Sequence, residues 1–466
     1  MDFLLSIVEN INKYLANYIL IFLLVGVGLY FTIRTRFVQI RCFGEGMKSV
    51  FGGIFKKKEG TSGLSSFQAL ATAIAAQVGT GNIVGACGAI LAGGPGAIFW
   101  MWVIAFFGMA TIYAEATLAQ NTKIVEADGS VLGGPVYYIK KAFRGKFGKF
   151  LAGFFAVAVV LALGFMGAMV QSNAIANAVN TAVPAIPTFA VGIALAVLCA
   201  FIFIGGIKRI ASVAEKIVPL MAVLYIVLGL VVLGVNVTKI PATFGMIFKY
   251  AFTPNAIIGG AIGVAIKEAI SQGAKRGLFS NEAGMGSTPH AHAQADVRDP
   301  HKQGVVAMIG VFIDTFVVLT MTALVVICTL YTDGGLFSVL PVVNTETASM
   351  MGVTNNNMMQ TAMGTVFGTV AGNILVAICL AFFAFTTIIG WNFFGKQNIE
   401  YLFGKKATVV YSVIAIVFIF LGTVFKSGLV WELTDMFNNL MVIPNAIALF
   451  ALGGLVVSMT KFKKKK

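Results

Sequence analysis

A short polar run, Gln77, Gly79, Thr80, Gly81 and Asn82, interrupts an apolar stretch where a membrane helix ordinarily has only apolar side chains. Two glycines beside a threonine weaken a helix, and side-chain amides are costly in hydrocarbon unless they bond a partner. Irregular backbone at bilayer depth is tolerated where it lines a cavity. The run therefore predicts a membrane helix that unwinds at its midpoint, where free N–H and C=O groups hold a small charged solute and an ion. The alternative for the glycines is a close helix crossing.

Two further amides, Gln171 and Asn173, lie deep in another apolar run. An amide can bond a carboxylate or an ammonium group without carrying net charge, which suits a zwitterionic ligand. The alternative is a hydrogen bond between helices, worth about 1 kcal/mol. Both interpretations stay open, as does a side-chain pocket walled by the aromatic residues Phe165, Trp100 and Trp391.

Acidic side chains also occur inside apolar segments, at Glu115, Glu268 and Asp314, with Lys267 beside Glu268. Ionisable groups at membrane depth are candidates for function because they are expensive to bury. Neighbouring helix positions point in different directions, so Lys267 is not expected to pair with Glu268. We interpret Glu115 as structural and leave the roles of Glu268 and Asp314 open.

Composition identifies a polytopic membrane protein, since 58% of residues are hydrophobic, 11% are charged and the mean hydropathy is +0.90. The net charge of +15 lies in short loops between apolar spans, which indicates membrane topology and excludes nucleic acid as a partner. The five cysteines show no metal-ligand spacing and are interpreted as packing residues. The first residues lack a basic region and a cleavage site, so no cleaved signal peptide is expected.

Eleven apolar spans are predicted along the chain. They cover approximately residues 17–33, 66–90, 96–119, 150–182, 188–206, 216–236, 256–284, 303–331, 366–395, 407–425 and 429–457. Of the 33 Lys and Arg residues, all but five then fall in loops or tails on one side. Lys275 and Arg276 are counted with this majority. The protein is predicted to lie in the plasma membrane. By the positive-inside rule its N-terminus is outside and its C-terminus is cytoplasmic.

Ten of these spans divide into two groups of five once the first is set aside. Each group begins with an interrupted span, which is the sequence pattern of an inverted repeat with a binding site at the bilayer midplane. The predicted fold is therefore all-α, with one leading helix plus a five-plus-five inverted repeat containing two broken helices. The predicted divisions are 1–60 for the leading helix and basic loop, 61–240 and 241–460 for the repeats, and 461–466 for a basic tail.

The second broken span offers two places to unwind. Ser271, Gln272 and Gly273 are favoured because a break there leaves a half-helix from about residue 256 to 270. The competitor is the glycine cluster at 259–263. A break at either place is expected to present carbonyl groups to a substrate ammonium group.

The thirteen residues 275–287, with the sequence KRGLFSNEAGMGS, resemble the signature of the alanine or glycine:cation symporter family. The first broken segment and the chain length fit that family too. The resemblance implies sodium-coupled uptake of alanine or glycine on a scaffold like that of the transporter LeuT. Sodium would then be the co-transported ion and a small neutral amino acid the substrate. Membrane lipid would surround the protein.

The sodium-coupled transporters of that scaffold break their first core helix at a similar Gly-x-Gly-Asn, here Gly79 to Asn82. The likeness implies that the amides of Thr80 and Gly81 receive the substrate carboxylate. It also implies a sodium site built from carbonyl and hydroxyl oxygens of Ala75, Val78, Phe383, Thr386 and Thr387. Thr386→Ala is then expected to weaken the affinity for both sodium and substrate. From the residues alone, hydrogen bonds of the threonine pair to the preceding helical turn are favoured, and only the resemblance favours the sodium site.

Rival functions are proton-coupled transport through Glu268 or Asp314, a membrane enzyme using Ser287 and His290, and a channel. No hydrolase, nucleotide-binding or zinc-protease motif is present, so an enzyme is not expected. His290, His292 and His301 are interpreted as solvated loop residues or gate contacts rather than metal ligands. The oligomeric state is not predicted.

Overall fold

The apolar segments of the sequence form helices in the computed structural model, which describes residues 2–15, 20–52, 63–253, 262–338, 343–425 and 427–461. Among these residues, five helical stretches are long and apolar enough to cross a membrane. Two bent helix pairs raise that number to seven. Three shorter apolar helices accompany them, so the count of eleven spans stays a prediction.

The first half of the chain starts with an N-terminal helix that precedes the first predicted span. The helices are α1 (Asp2–Tyr14), α2 (Ile21–Arg34), α3 (Val38–Arg41), α4 (Phe43–Phe51), α5 (Ser66–Gln77), α6 (Ala86–Gly93), α7 (Gly96–Thr122), α8 (Pro135–Ala142), α9 (Gly145–Val159), α10 (Ala168–Ala182), α11 (Thr188–Ile204) and α12 (Gly206–Val235). π-Helical turns at Gly81–Gly85 and Val160–Gly167 lead into α6 and join α9 to α10.

The second half of the chain begins with a 3₁₀ turn that leads directly into a short helix. Its elements are a 3₁₀ turn (Val237–Lys239) and the helices α13 (Ile240–Phe252), α14 (Ile262–Asn281), α15 (Pro289–Ala293), α16 (Pro300–Val311), α17 (Thr320–Val326), α18 (Thr345–Met350), α19 (Met358–Phe367), α20 (Thr369–Phe403), α21 (Ala407–Gly422), α22 (Ser427–Ala451) and α23 (Gly453–Met459). π-Helical turns at Phe312–Leu319 and Ile327–Tyr331 flank α17.

One small departure from an all-α fold is an antiparallel hairpin between α7 and α8. Strand β1 (Ile124–Val125) pairs with β2 (Val131–Leu132). Gly129, with φ +77°, completes the turn between them, because a left-handed backbone suits glycine. Each strand has only two residues, which is too short for hydropathy alone to reveal the hairpin.

Local sequence explains where the helices that carry the site begin. Ser65 accepts a hydrogen bond from the Gln68 amide while the Gln68 side chain returns one to Ser65, a capping box that starts α5. Pro300 occupies the first turn of α16, and the Asp299 carboxylate accepts from the His301 amide. Helix α16 packs against α5 and against the long helix α7, and α7 also packs against α14.

Candidate functional site

The first predicted break is confirmed. Helix α5 ends at Gln77, the backbone is extended at Val78 (φ −81°, ψ 91°), and helical structure resumes at Gly81. The two halves are bent by 49°. The segment is fully buried, so the polar backbone exposed by the break faces the protein interior rather than lipid.

The second break lies further along the chain than predicted. Helix α14 continues through residues 271–273 and ends at Asn281, and α15 starts at Pro289. Between them Glu282, Gly284 and Gly286 have positive φ values of 56°, 86° and 81°. The unwound segment is therefore 282–288, inside the signature sequence, and the prediction of a break at 271–273 is wrong.

Close packing explains why α14 stays helical at Gly273. A Cβ added there would lie 2.7 Å from both Ala97 O and Trp100 Cβ of α7, so the glycine permits a close helix crossing. Gln272 donates to Glu268 one turn earlier, at 2.6 Å, within the same helix. Ser271 is buried in the same regular segment. The competing cluster at 259–263 lies mostly outside the described residues.

We expect Gly273→Ala to lower the thermal stability of the purified protein, because overpacking a close crossing typically costs about 1–3 kcal/mol. Gly277→Ala is the matched control on the same helix, since its Cβ would make ordinary contacts of 3.5 Å or more with Met101. Thermal unfolding in detergent measures both. Equal midpoints for the two variants would contradict the packing role of Gly273.

The two breaks meet at the centre of the molecule. Gln77 Nε2 donates to the Asn281 carbonyl oxygen at 2.7 Å, which joins the end of α5 to the end of α14. A Cβ on Gly81 would lie 2.9 Å from Ser280 Cα, so only glycine allows this approach of the two backbones. The unwound peptide groups of both helices therefore face one common region.

Asp314 holds both broken helices from a third one. Its carboxylate accepts from Asn82 Nδ2 at 2.6 Å, from Ser280 Oγ at 3.0 Å and from Thr315 Oγ1 at 2.8 Å. The side chain is fully buried. Among the described residues no Lys or Arg forms an ion pair with it, so its partners are all neutral. Glu268, by contrast, is partly exposed and lies well before the break.

An oxygen cluster of the kind a hard cation needs forms beside the first break. Thr387 Oγ1 lies 3.0 Å from the Ala75 carbonyl oxygen, 3.4 Å from that of Val78 and 3.1 Å from that of Phe383. Thr386 points elsewhere, with its hydroxyl 2.9 Å from the Phe383 carbonyl and 3.5 Å from Met221 Sδ. The predicted cation residues thus come together except for the Thr386 hydroxyl, which bonds its own helical turn.

Backbone N–H groups at the break are already oriented by amide side chains. Gln171 Oε1 accepts from Thr80 N at 3.1 Å, and Asn82 Oδ1 accepts from Gly79 N at 2.9 Å. Thr80 Oγ1 and Gln77 Oε1 are buried without a hydrogen-bond partner among the described residues. A negatively charged ligand oxygen could replace the amide oxygen of Gln171 and accept a hydrogen bond from the Thr80 backbone N–H, which is already oriented toward that position.

Several other predicted residues lie away from the breaks. Asn173 donates to the carbonyls of Gly422 and Phe425. It therefore forms the hydrogen bonds between helices that were the alternative to a role in ligand binding. Phe165 stacks on Phe418, and Trp100 bonds the carbonyl of Ala251. These contacts belong to the packing of peripheral helices.

Trp391 is the one predicted aromatic residue that lies at the second break. Its indole N–H donates to the Glu282 carboxylate, and its ring packs edge-on against Phe279 with centroids 6.0 Å apart. Sequence reasoning missed Phe279, although it stands in the signature sequence one residue before Ser280.

A buried acid on α7 supports the unwound segment. Glu115 accepts from the Gly284 amide at 3.0 Å and from Asn445 Nδ2 at 2.6 Å, while Asn445 also donates to the Gly284 carbonyl at 2.9 Å. The unwound peptide at Gly284 is thus satisfied on both sides, as a buried backbone group must be. This geometry supports the structural interpretation of Glu115.

The second half of α14 carries two basic residues, Lys275 and Arg276, that were expected in an inside loop. Arg276 pairs with Asp435 at 3.6 Å and lies over the Trp431 ring. A cavity of about 290 Å³ there is also lined by Gly88 and Asn355, which belong to the side predicted to be outside. The loop assignment of Lys275 and Arg276 is therefore wrong, because the helix extends past them to Asn281.

A cavity of about 370 Å³ lies on the opposite side, between the hairpin, the start of α12 and the end of α20. Val131 O in the hairpin accepts from Gln294 Nε2 at 2.8 Å and from Gln397 Nε2 at 3.3 Å. At the hairpin turn the Lys405 ammonium donates to Asp128 and holds the pKa of that carboxyl below its usual range. Hydrogen bonds and a surface ion pair thus hold the hairpin against the segment after α15 and against the end of α20.

The three histidines are buried, which contradicts their interpretation as solvated loop residues. His290 is stacked between the rings of Phe155 and Phe394. His292 bonds Gln303 at 2.9 Å, and His301 bonds Tyr113 at 2.7 Å. The segment that follows the second break folds back into the core instead of entering solvent.

Comparison with known proteins gives a consistent result. The model of the sodium:alanine symporter family matches residues 1–466. The chain is 41% identical to the sodium/alanine symporter AgcS of Methanococcus maripaludis, over 99% of this chain and 97% of the relative. It is 42% identical to the putative sodium/proton-dependent alanine carrier protein YrbD of Bacillus subtilis, over 96% and 89% of the two chains.

Among solved structures, the chain is similar to MhsT in complex with L-phenylalanine, with a TM-score of 0.53 and 16% sequence identity. The match covers 86% of this chain and 100% of that one. At this identity the similarity establishes the fold, which is of the LeuT type.

Proposed function

The chain belongs to the sodium:alanine symporter family, a family of transporters rather than enzymes, and we propose that it couples sodium entry to uptake of a small neutral amino acid, alanine or glycine. The observation that carries the proposal is the meeting of two unwound helices around buried, oriented peptide groups. Such a centre binds both charges of a zwitterion without a fixed counter-charge.

Sodium occupies the oxygen cluster of Ala75, Val78, Phe383 and Thr387 in this proposal. Carbonyl and hydroxyl oxygens are suitable ligands for a hard monovalent cation. The three carbonyls already converge on the Thr387 hydroxyl within 3.4 Å. An ion there ties α5 to α20 and fixes the extended peptide at Val78. Thr386 supplies no ligand from its hydroxyl, which differs from the expectation based on resemblance.

The amino acid binds between the breaks. Its carboxylate takes the N–H groups of Thr80 and Gly81, displacing the Gln171 oxygen from Thr80 N. Carbonyl groups of the unwound segment 282–288 receive the ammonium group. Phe279 and Trp391 lie next to this segment, and they favour a small side chain by leaving little room.

Alternating access follows from the two cavities on opposite sides of the centre. In the proposed orientation the C-terminus is cytoplasmic and the N-terminus outside, and one helix bundle rocks against the other around the site. The Arg276–Asp435 pair then stands on the outer path and the hairpin with Asp128 and Lys405 on the inner path.

A second candidate is coupling to protons through Asp314, which is favoured by its complete burial among neutral donors. A buried carboxylate without a basic partner tends to take up a cation or a proton. Glu268 is a poorer carrier because it is partly exposed and bonds Gln272 within its own helix.

Uptake by proteoliposomes distinguishes these functions. We expect labelled alanine or glycine to accumulate under an inward sodium gradient, and uptake to stop when choline replaces sodium, because the ion and the substrate raise each other's affinity. Unchanged uptake in choline would overturn the sodium proposal. Accumulation under a proton gradient without sodium, abolished by Asp314→Asn, would establish the proton alternative.

A further inference from the structure

Three side chains from two distant parts of the sequence meet at the edge of α7. The Cys42 sulfur, a Glu45 carboxylate oxygen and a His301 ring nitrogen all lie within 4.8 Å of one another. Cys42 is the residue that precedes α4, and Glu45 lies in the first turn of that helix. His301 lies in the first turn of α16. A thiolate, a carboxylate and an imidazole are the ligand types that bind zinc.

The distance between two of these groups fits a shared ion better than a direct bond. His301 Nε2 lies 3.6 Å from Glu45 Oε1, which is beyond the range of an N–H···O hydrogen bond. Two tetrahedral ligands with bonds of about 2.0–2.1 Å to one zinc stand about 3.4 Å apart. The Nε2 atom is buried and makes no hydrogen bond among the described residues.

Hydrogen bonds on the other side of the ring place a proton on Nδ1. The Thr460 hydroxyl donates to the Val456 carbonyl, so its oxygen accepts the Tyr113 hydroxyl at 3.1 Å. Tyr113 has then used its proton and accepts from His301 Nδ1 at 2.7 Å. Nδ1 of the ring therefore carries a proton, and Nε2 is the nitrogen that faces the Glu45 carboxylate. An imidazole held in this way presents Nε2 to a cation that it shares with the carboxylate.

We propose that Cys42, Glu45 and His301 bind a zinc ion, with water in the fourth position. Tyr113 orients the histidine as outer partners of metal-bound histidines do. The cysteine spacing gave no hint of this site because its histidine partner comes from a separate helix.

Zinc at this position links α4, on the side predicted to be cytoplasmic, to the start of the span that carries Asp314. The site does not depend on the proposed transport function, because none of its three ligands touches either helix break. Its expected effect is to restrain α4 against α16 and so to stabilise the folded protein whenever the ion is bound.

The test uses the full-length protein in detergent after removal of metals by a chelator. We expect one zinc ion per chain, measured by competition with a chromogenic chelator, and a thiolate-to-metal charge-transfer band when Co²⁺ replaces Zn²⁺. Cys42→Ser should remove the band. Glu45→Gln and Tyr113→Phe should each weaken zinc binding at least about tenfold. Zinc should also raise the unfolding temperature of the unmodified protein but not that of Cys42→Ser.

Matched controls are Cys199→Ser, a buried cysteine of α11, and Glu346→Gln, an exposed acid of α18; both should leave zinc binding unchanged. Glu45 is half-exposed, so its replacement tests the site without disturbing the core. No zinc bound to the unmodified protein, or the same affinity in Cys42→Ser and Glu45→Gln as in the controls, would overturn the proposal.

Discussion

Gly79→Ala should abolish sodium-driven uptake while leaving the protein folded. The added methyl would overlap Thr387 Oγ1 and approach Gln171 Oε1 to 3.1 Å. It would therefore disturb the cation cluster and the donor at Thr80 N together. Overpacking of this kind typically costs about 1–3 kcal/mol, and the same free energy lost from binding corresponds to a loss of roughly 5- to 150-fold in affinity for sodium and for the amino acid.

The measurement is the sodium dependence of labelled amino acid binding and uptake, with circular dichroism to confirm the fold. Gly88→Ala is the matched control, because it lies in the same broken span and its Cβ would meet only Asn355 at an ordinary 3.7 Å. We expect the control to transport normally. If Gly79→Ala kept the sodium and substrate affinities of Gly88→Ala, the oxygen cluster beside the first break would not be part of the transport site.

The first break could be predicted from sequence because its signal is local. Gly79 and Gly81 remove helix propensity at the point where Gln77 and Asn82 introduce polar side chains into an apolar run. No ordinary membrane helix combines these features, and the structure unwinds there. Long apolar helices could be predicted for the same reason, since a helix that crosses lipid needs an apolar composition, and five to seven stretches of the described residues meet that condition.

The second break was misplaced because a similar local signal had a different cause. Gly273 looks like a helix breaker, yet it serves the crossing with α7, a contact between residues far apart in sequence. The true break depends on Glu282, whose positive φ is stabilised by partners on other helices, including Trp391. The alternating glycines Gly284 and Gly286 were the available clue.

Which oxygen of a threonine pair faces an ion cannot be read from sequence either. Thr386 and Thr387 are adjacent on α20, and helical geometry turns them about 100° apart. Only the packing of α20 against α5 decides that Thr387 meets the Ala75 and Val78 carbonyls, while Thr386 meets Met221. The expectation that Thr386→Ala weakens sodium affinity is therefore transferred to Thr387.

Thr387→Ala should weaken sodium affinity by roughly 10- to 100-fold, because a hydrogen-bonding oxygen that faces a charge contributes about 1.5–3 kcal/mol. Alanine affinity should fall with it at low sodium and recover at saturating sodium, since the two ligands are linked. Thr387→Ser keeps the hydroxyl and should stay close to the unmodified protein. Thr386→Ala, one residue earlier on the same buried helix, is the second control.

Equilibrium binding of labelled alanine at a series of sodium concentrations separates these outcomes. The expected order of sodium affinities places Thr387→Ala far below Thr387→Ser and Thr386→Ala. The reverse order, with Thr386→Ala the weaker binder, would mean that the helix turns during transport and that the cluster seen around Thr387 is not the occupied cation site. A uniform loss in all three variants would instead assign the pair to packing, because packing does not distinguish a hydroxyl facing Ala75 from one facing Met221.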